Sequence, residues 1–236
     1  MSNPVLLAVA HGSRDPAAQQ AIASLASEVR RLAPVLTVRT AFVQHAEPSL
    51  AAGLAGTGAH TVLVPLLLST GHHLNADIAA AARLAGAAVA DPLGPDQLLV
   101  TALAGRLAEA GVPEGTPVVL AAAGSSDQAA QAAARQQADL LAERLEAPVT
   151  AAFASTARPG VAEAVAALRA RHGRPVAVAA YLLAPGHFHD RLRSARLAGA
   201  GWVTAPIGAH PALAGLVIDR YRAASRRPSL AAAAGQ

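Results

Sequence analysis

The feature that most constrains the fold of this chain is an internal repeat. Three segments return later in the same order, at offsets of 112, 111 and 115 residues. The segments and their counterparts are Gly12-Ser13-Arg14-Asp15 with Gly124-Ser125-Ser126-Asp127, Phe42 and Pro48 with Phe153 and Pro159, and residues 67–73 with residues 182–188. Offsets that change so little along the chain indicate duplication of one folding unit.

Each copy of the unit alternates short apolar runs with amphipathic segments. Apolar runs bounded by turn residues are typical of buried strands, and apolar residues recurring every three to four positions are typical of helices. In the first copy the predicted strands are residues 4–10, 35–43, 61–68 and 87–90, and the predicted helices are residues 16–33, 48–55, 77–85 and 96–110. The series restarts at Val118, after a linker rich in Gly and Pro at residues 111–117.

This alternation is typical of parallel sheets covered by helices on both faces. We therefore predict an α/β fold with two similar halves, residues 1–112 and 113–236, each built on a mainly parallel four-stranded sheet. Residues from about 225 onward are expected to form a loose tail. Two such halves usually face each other across a cleft at the carboxyl ends of their strands.

The composition argues against several classes of protein. Apolar residues make up 53% of the chain, too many for a disordered protein, yet no run of about 18 apolar residues could span a membrane. All 19 basic residues are Arg and aromatic residues are only 3%, so the chain lacks the basic stripes and stacking platforms of nucleic-acid-binding proteins. Cys is absent, no glycine-rich nucleotide motif follows the first strand, and residues 1–10 do not resemble a secretory leader. We expect a cytoplasmic protein without an organic cofactor.

The repeat also provides an internal control for the histidines. His11 follows the first predicted strand and His73 follows the third, so both are expected near the carboxyl edge of one sheet, where open α/β sheets bind ligands. Their counterparts are Ala123 and Phe188, which can neither bind a metal nor move a proton, whereas Gly12 is kept as glycine. The alternative is that both are ordinary polar residues at strand ends.

Two imidazoles without cysteine favour a borderline divalent metal such as Fe, Co, Ni or Zn. Two protein ligands are too few for a closed structural site, and the remaining coordination positions would be open to water or substrate. The pattern therefore indicates a site that holds a metal briefly and passes it on.

Three motifs carry a resemblance to a known family. They are Val9-Ala10-His11-Gly12-Ser13-Arg14, residues 42–50 (FVQHAEPSL) and residues 64–78 (VPLLLSTGHHLNADI). In order and spacing they resemble the sirohydrochlorin chelatases, the class II tetrapyrrole chelatases, and residues 181–192 resemble the degenerate second repeat of the long members. The resemblance implies chelatase-like halves of flavodoxin or Rossmann type. It also implies insertion of Fe²⁺ or Co²⁺ into sirohydrochlorin, with the metal as substrate, on the way to sirohaem or cobalamin.

The resemblance also implies roles for individual residues. His11 and His73 correspond to the family's metal ligands and proton acceptors, with His72 as a neighbour. The family often has a glutamate where this chain has Gln44, and Glu47 lies three residues further on.

Sirohydrochlorin carries eight carboxylates. Arg14 and the backbone N–H groups of Gly12 and Ser13 are natural partners for these groups, whereas Asp15 would repel them and is expected to serve as a helix cap. We therefore predict a substrate-binding set of Gly12, Ser13, Arg14, Gln44, Glu47 and His72. Arg158 and Arg191 are weaker candidates.

Several alternatives remain open at this point. Arg171-His172-Gly173 matches the core of the histidine phosphatase signature but follows a helical segment rather than a first strand, which disfavours that function. His45, His60, His172 and His210 are most simply surface or loop histidines, and His189 is a weak candidate partner of His187 across the cleft. A non-catalytic metal or tetrapyrrole carrier and a two-lobed anion-binding protein are the rival functions. We expect a monomer or a weak homodimer.

Overall fold

Two α/β units follow each other along the chain in the computed structural model, which describes residues 5–57, 60–69 and 72–227, without the side chains of residues 72–75. The elements of the first unit are β1 (Val5–Ala10), α1 (Pro16–Leu32), β2 (Thr37–Phe42), α2 (Leu50–Leu54), β3 (Thr61–Pro65), α3 (His72–Ala85), β4 (Ala88–Val89) and α4 (Gln97–Glu109). Those of the second are β5 (Val118–Ala122), α5 (Gln128–Leu145), β6 (Val149–Phe153), α6 (Val161–His172), β7 (Val176–Tyr181), α7 (His187–Leu192), α8 (Ser194–Leu197), β8 (Ala200–Val203) and α9 (Pro211–Ser225).

The strands form two parallel four-stranded sheets, which confirms the predicted α/β fold with chelatase-like halves. The strand orders are β2-β1-β3-β4 and β6-β5-β7-β8, so the two sheets share one topology. The central strands β1 and β5 are buried along their whole length. That burial explains why both read as continuous apolar runs rather than alternating ones. Among the described residues, no helix combines the length and apolarity needed to cross a membrane.

The start of α3 differs from the sequence prediction. The predicted helix begins at Asp77, whereas α3 begins at His72. The corresponding helix of the second half, α7, likewise begins at His187, directly after Gly186. The strand before α3 is also shorter than predicted, since β3 ends at Pro65 rather than at residue 68. As a result, His72 and His73 lie on the first turn of a helix. The predicted tail lies largely outside the described residues.

The last helix of each half packs against the sheet of the other half. Helix α4 contacts α5 and β7, whereas α9 contacts α1, β3 and β4, and α4 and α9 also contact each other. We call α4 and α9 the exchanged helices. One apolar cluster consequently contains residues of both halves, including Leu6 and Leu103 from the first and Leu120 and Leu213 from the second. Smaller clusters lie beneath the outer helices of each sheet. The division of the chain at residue 112 stays a prediction.

Polar contacts reinforce this shared core. The fully buried Gln137 on α5 accepts a hydrogen bond from the backbone N–H of Asp96 (2.9 Å) and donates one to the Asp96 carbonyl (3.2 Å). The carboxylate of Asp96 in turn pairs with Arg220 on α9, with 3.0 Å between the charged atoms. Arg106 on α4 donates two hydrogen bonds to the carbonyl of Ile207 in the second half. These contacts join the first half of the chain to the second.

Candidate functional site

The candidate site begins at the turn that follows β1. His11 is the first residue after the strand and is exposed. Its carbonyl accepts a hydrogen bond from the backbone N–H of Gln44, at 2.9 Å. Gly12 has a φ of +97°, and a Cβ on Gly12 would lie 1.7 Å from the carbonyl oxygen of Gln44. Only glycine fits here, because both the backbone conformation and the close approach exclude a side chain.

The rest of the turn is held by side chains that bond to its own backbone. The Asp15 N–H donates to the Ser13 hydroxyl (3.1 Å), and the Asp15 carboxylate caps α1 by accepting from the Ala17 N–H (2.8 Å). The side-chain amide of Gln19 donates to the Ser13 carbonyl (2.9 Å). The second half repeats all three bonds at Ser125, Asp127 and Gln131. The cap predicted at Asp15 is therefore confirmed as part of the repeated scaffold.

A second histidine lies beside His11. The His45 ring is nearly parallel to the His11 ring, with an angle of 20° between the planes and 6.2 Å between the ring centres. His45 has a φ of +60°, and its counterpart Thr156 has a φ of +59°. From its place in the sequence, His45 is predicted only to be a surface or loop histidine. The comparison of repeats that selected His11 would also have selected His45, because its counterpart has no imidazole.

The other predicted substrate-binding residues differ in what their side chains contact. The Glu47 carboxylate accepts a hydrogen bond from the backbone N–H of Ser49 (2.7 Å), which stabilises the turn before α2. Gln44 and Arg14 are exposed. The Ser13 hydroxyl is engaged with the turn, as described above. A role of these residues in substrate binding stays a prediction.

His72 and His73 have described backbones but no described side chains. Both follow β3 at the carboxyl edge of the first sheet, on the first turn of α3. The predicted pairing of the His11 and His73 imidazoles therefore lies outside the described residues. Among the side chains that are described, no group of three or more His, Asp or Glu could hold a metal ion.

Two cavities flank His11 between the halves, and together we call them the cleft. The first, of about 350 Å³, is lined by the turn from His11 to Ser13 and by residues 182–189. The second, of about 340 Å³, is lined by residues 67–69 and 122–125. His11, Leu182 and Leu183 border both cavities. Each cavity combines the turn after the first strand of one half with the segment after the third strand of the other half. The cleft therefore has two similar sides, and the His11 imidazole lies at their junction.

Tyr181 fixes the segment that leads from β3 toward α3. Its buried hydroxyl donates to the carbonyl of Leu68 across the interface between the halves, at 2.9 Å. Burial raises the pKa of this hydroxyl far above its ordinary value, and the nearby charge of Asp96 adds to the effect. The hydroxyl therefore remains a hydrogen-bond donor throughout the physiological pH range.

Two histidines of the second half, His187 and His189, lie on α7. His187 contacts Phe188 edge to face, with 5.6 Å between the ring centres. A ring nitrogen of His189 lies 3.2 Å from the carbonyl oxygen of Thr204 in its own half. Both histidines line the first cavity. The ring of His189 is thus engaged with its own half, and a partnership between the two stays a prediction.

The chain is similar to known proteins along most of its length. The sequence model of the CbiX family matches it twice, at residues 5–110 and 117–224. The sirohydrochlorin ferrochelatase of Bacillus subtilis (strain 168) is 28% identical over 235 residues, which cover 92% of this chain and 90% of that protein. The sirohydrochlorin cobaltochelatase of Methanosarcina acetivorans is 30% identical over 123 residues, which cover 44% of this chain and 95% of that protein.

A solved structure shows the same architecture. The structure of SirB from Bacillus subtilis with Fe³⁺ superposes with a TM-score of 0.79 at 26% sequence identity. The match covers 94% of this chain and 95% of that chain. The likeness therefore extends over most of both halves.

Proposed function

The chain belongs to the CbiX family of sirohydrochlorin chelatases, in its two-repeat form, and on that premise we propose that it inserts Fe²⁺ or Co²⁺ into sirohydrochlorin. Relatives named as ferrochelatase and as cobaltochelatase both support the reaction class, so we leave the metal as one of these two. The metal is a substrate here, and the product is the metallated macrocycle.

The observation that carries the proposal is the position of His11. This imidazole lies at the junction of two cavities that together form an open cleft between the halves. The corresponding position of the second half is Ala123, although three hydrogen bonds between side chains and backbone that shape the turn recur there. An imidazole kept on one side only, in an otherwise duplicated cleft, indicates chemistry rather than scaffold.

The reaction explains why imidazole suits this position. Insertion of a divalent metal releases two protons from the ring nitrogens of the macrocycle, and the metal exchanges its earlier ligands for four ring nitrogens. Imidazole changes protonation state near neutral pH, so it can either bind the metal or accept a released proton. In the proposed mechanism His11 and His73 share these tasks at the carboxyl edge of the first sheet, and the cleft orients the macrocycle and excludes water.

The carboxylates of the substrate need cationic or N–H partners. Arg14 is exposed on the turn next to His11, and guanidinium groups bind carboxylates through two parallel hydrogen bonds. The apolar walls of the cleft, which include Leu182 and Leu183, suit the face of a large conjugated ring. We propose that the ring lies against these walls and that its peripheral carboxylates reach Arg14 and the Gly12–Ser13 backbone.

The test is an anaerobic absorbance assay with sirohydrochlorin and either Fe²⁺ or Co²⁺, corrected for spontaneous insertion. The variants His11→Ala and His73→Phe introduce the residues that the second half already carries, so both are expected to fold. Each is expected to lower the insertion rate by at least about 10²-fold.

His60→Ala is the matched control, because His60 is exposed at the amino end of β3, away from the cleft. A folded double variant with both His11→Ala and His73→Phe that inserts both metals at the wild-type rate would contradict the proposal. Metal or macrocycle binding without any insertion by the wild-type protein would instead indicate a carrier.

A further inference from the structure

We propose that His45 is a second imidazole ligand that binds the divalent metal together with His11. The proposal concerns the binding of the metal alone. Only the biological meaning of that binding rests on the proposed function. The contact between the two rings is the observation from which it starts.

The geometry of the pair suits a shared ion. An imidazole nitrogen binds a divalent metal at about 2.0–2.1 Å, so the centre of each ring lies about 3.2 Å from the ion. Two imidazoles on one ion then have ring centres about 5 Å apart at a tetrahedral angle and about 6.4 Å apart when opposite each other. The observed separation of 6.2 Å falls inside this range. The two rings are nearly parallel, and an imidazole nitrogen binds a metal in the plane of its ring, so the rings must turn to direct one nitrogen each at the same ion. Both side chains are exposed, which leaves them free to rotate about their side-chain bonds.

The backbone brings the two histidines together and holds them there. The Gln44 N–H donates to the His11 carbonyl, and the Gln44 carbonyl occupies the space that a side chain on Gly12 would need. His45 follows directly, in a left-handed conformation that Gly and Asn adopt more readily than His.

The second half shows that this backbone does not require histidine. Thr156 has the same positive φ, and the carbonyl of Ser155 lies against Gly124 as that of Gln44 lies against Gly12. The scaffold is thus present twice, but the imidazole pair is present once, because the second half has Ala123 and Thr156 at the two positions. His45 therefore contributes something other than the fold.

The neighbouring residues Gln44 and Glu47 are less suited than His45 to bind a divalent metal. Gln44, where the family resemblance implies a carboxylate, carries an uncharged amide that is a poor ligand for these metals. The carboxylate of Glu47 is engaged with the Ser49 N–H. Of these neighbouring side chains, the imidazole of His45 is therefore the group suited to bind such a metal.

The experiment is a titration of the full-length protein with Co²⁺ alone, followed by its visible ligand-field absorption and by calorimetry. His45→Thr introduces the residue that the second half carries at the same φ, and His60→Thr makes the same chemical change at the far end of β3. We expect His45→Thr to raise the Kd for Co²⁺ at least about tenfold and to change the absorption spectrum, and we expect His60→Thr to do neither. His11→Ala should weaken binding as well. The double variant His11→Ala, His45→Thr should lose less than the product of the two single effects, because both ligands serve one ion.

The inference would be overturned if His45→Thr bound Co²⁺ with the wild-type Kd and spectrum, or if the wild-type protein bound no Co²⁺. His45→Asn, which tolerates the left-handed backbone, replaces His45→Thr if circular dichroism shows that the threonine variant does not fold. Failure of the wild-type protein to metallate sirohydrochlorin would refute the proposed function and leave the binding result standing. If His45→Thr instead binds Co²⁺ as the wild-type protein does and inserts the metal at a normal rate, the role of His45 is refuted and the proposed function stands.

Discussion

Substitution of Gly12 by alanine separates the scaffold of the cleft from its chemistry. A Cβ at this position would lie 1.7 Å from the Gln44 carbonyl oxygen, so that oxygen must move away by about 1.3 Å to reach the 3.0 Å at which real contacts begin. Placing alanine at a φ of +97° costs about 1–2 kcal/mol, and losing the bond from Gln44 N–H to the His11 carbonyl costs about 1 kcal/mol more. We expect Gly12→Ala to lower the free energy of unfolding by about 2–3 kcal/mol.

Gly124→Ala is the matched control for this variant. It has a φ of +102°, and its new Cβ would lie 2.0 Å from the Ser155 carbonyl oxygen, so the loss of stability should be similar. The two variants should differ in function, because only Gly12→Ala displaces the backbone that carries His11 and His45. Urea unfolding followed by circular dichroism measures the first effect, and Co²⁺ titration below the unfolding transition measures the second.

Two results would refute this reasoning. One is a change in unfolding free energy below about 0.5 kcal/mol for Gly12→Ala, which would mean that the turn adapts freely. The other is an equal loss of Co²⁺ binding in Gly12→Ala and Gly124→Ala, which would mean that the two sides of the cleft are not chemically distinct.

Two further predictions concern the interface between the halves. Gln137→Ala leaves the backbone N–H of Asp96 without its partner, whereas the Asp96 carbonyl still accepts from the N–H groups of α4, so the variant should cost about 1–3 kcal/mol in urea unfolding. The exposed neighbour variant Gln136→Ala should cost less than about 0.5 kcal/mol. His210 caps α9 through a ring nitrogen that accepts the Ala212 N–H, and burial, helped by Arg106, lowers its pKa below the ordinary value. Its stabilising contribution should therefore be complete above about pH 6.5 and be lost as the pH falls through the lower folded pKa, and His210→Ser should remove this part of the pH dependence of stability.

Much of the fold could be predicted because it depends on local patterns in the sequence. The apolar runs of β1 and β5, the caps at Asp15 and Asp127, and the duplication of the unit all appear directly in the sequence, and the structure confirms them. The start of α3 could not be predicted, because Gly71, the residue before His72, has no side chain that could signal a helix cap in the sequence, and histidine does not favour a helix strongly.

The exchange of α4 and α9 also could not be predicted. Helical periodicity shows which residues of a helix are buried, but it does not show which of two similar sheets buries them. Buried residues run along a broad face of α9, from Leu213 to Ala224, because the helix contacts α1 and α4 as well as β3 and β4. Tertiary packing alone decides the partner.

Only part of the candidate site could be predicted from the sequence. His11 could be found because its counterpart in the repeat is alanine. The proximity of His45 depends on a left-handed backbone and on the approach of the Gln44 carbonyl to Gly12, neither of which has a local sequence signal. The engagement of Ser13 and Glu47 with backbone N–H groups likewise became visible only in three dimensions.

The exchanged helices give the short segment 110–117 a particular importance. A chain with one copy of the unit could pack its last helix against the sheet of another unit only by binding a second chain. The fraction of chains in such a pair would fall on dilution. Here the segment keeps the two copies tethered, which corresponds to an effective concentration on the order of millimolar, so the cleft stays assembled however dilute the protein is. The tether also removes the symmetry that two identical chains impose, because each half can accept substitutions that the other does not share. Ala123 and Thr156 on one side, and His11 and His45 on the other, are differences that only a fused pair can carry.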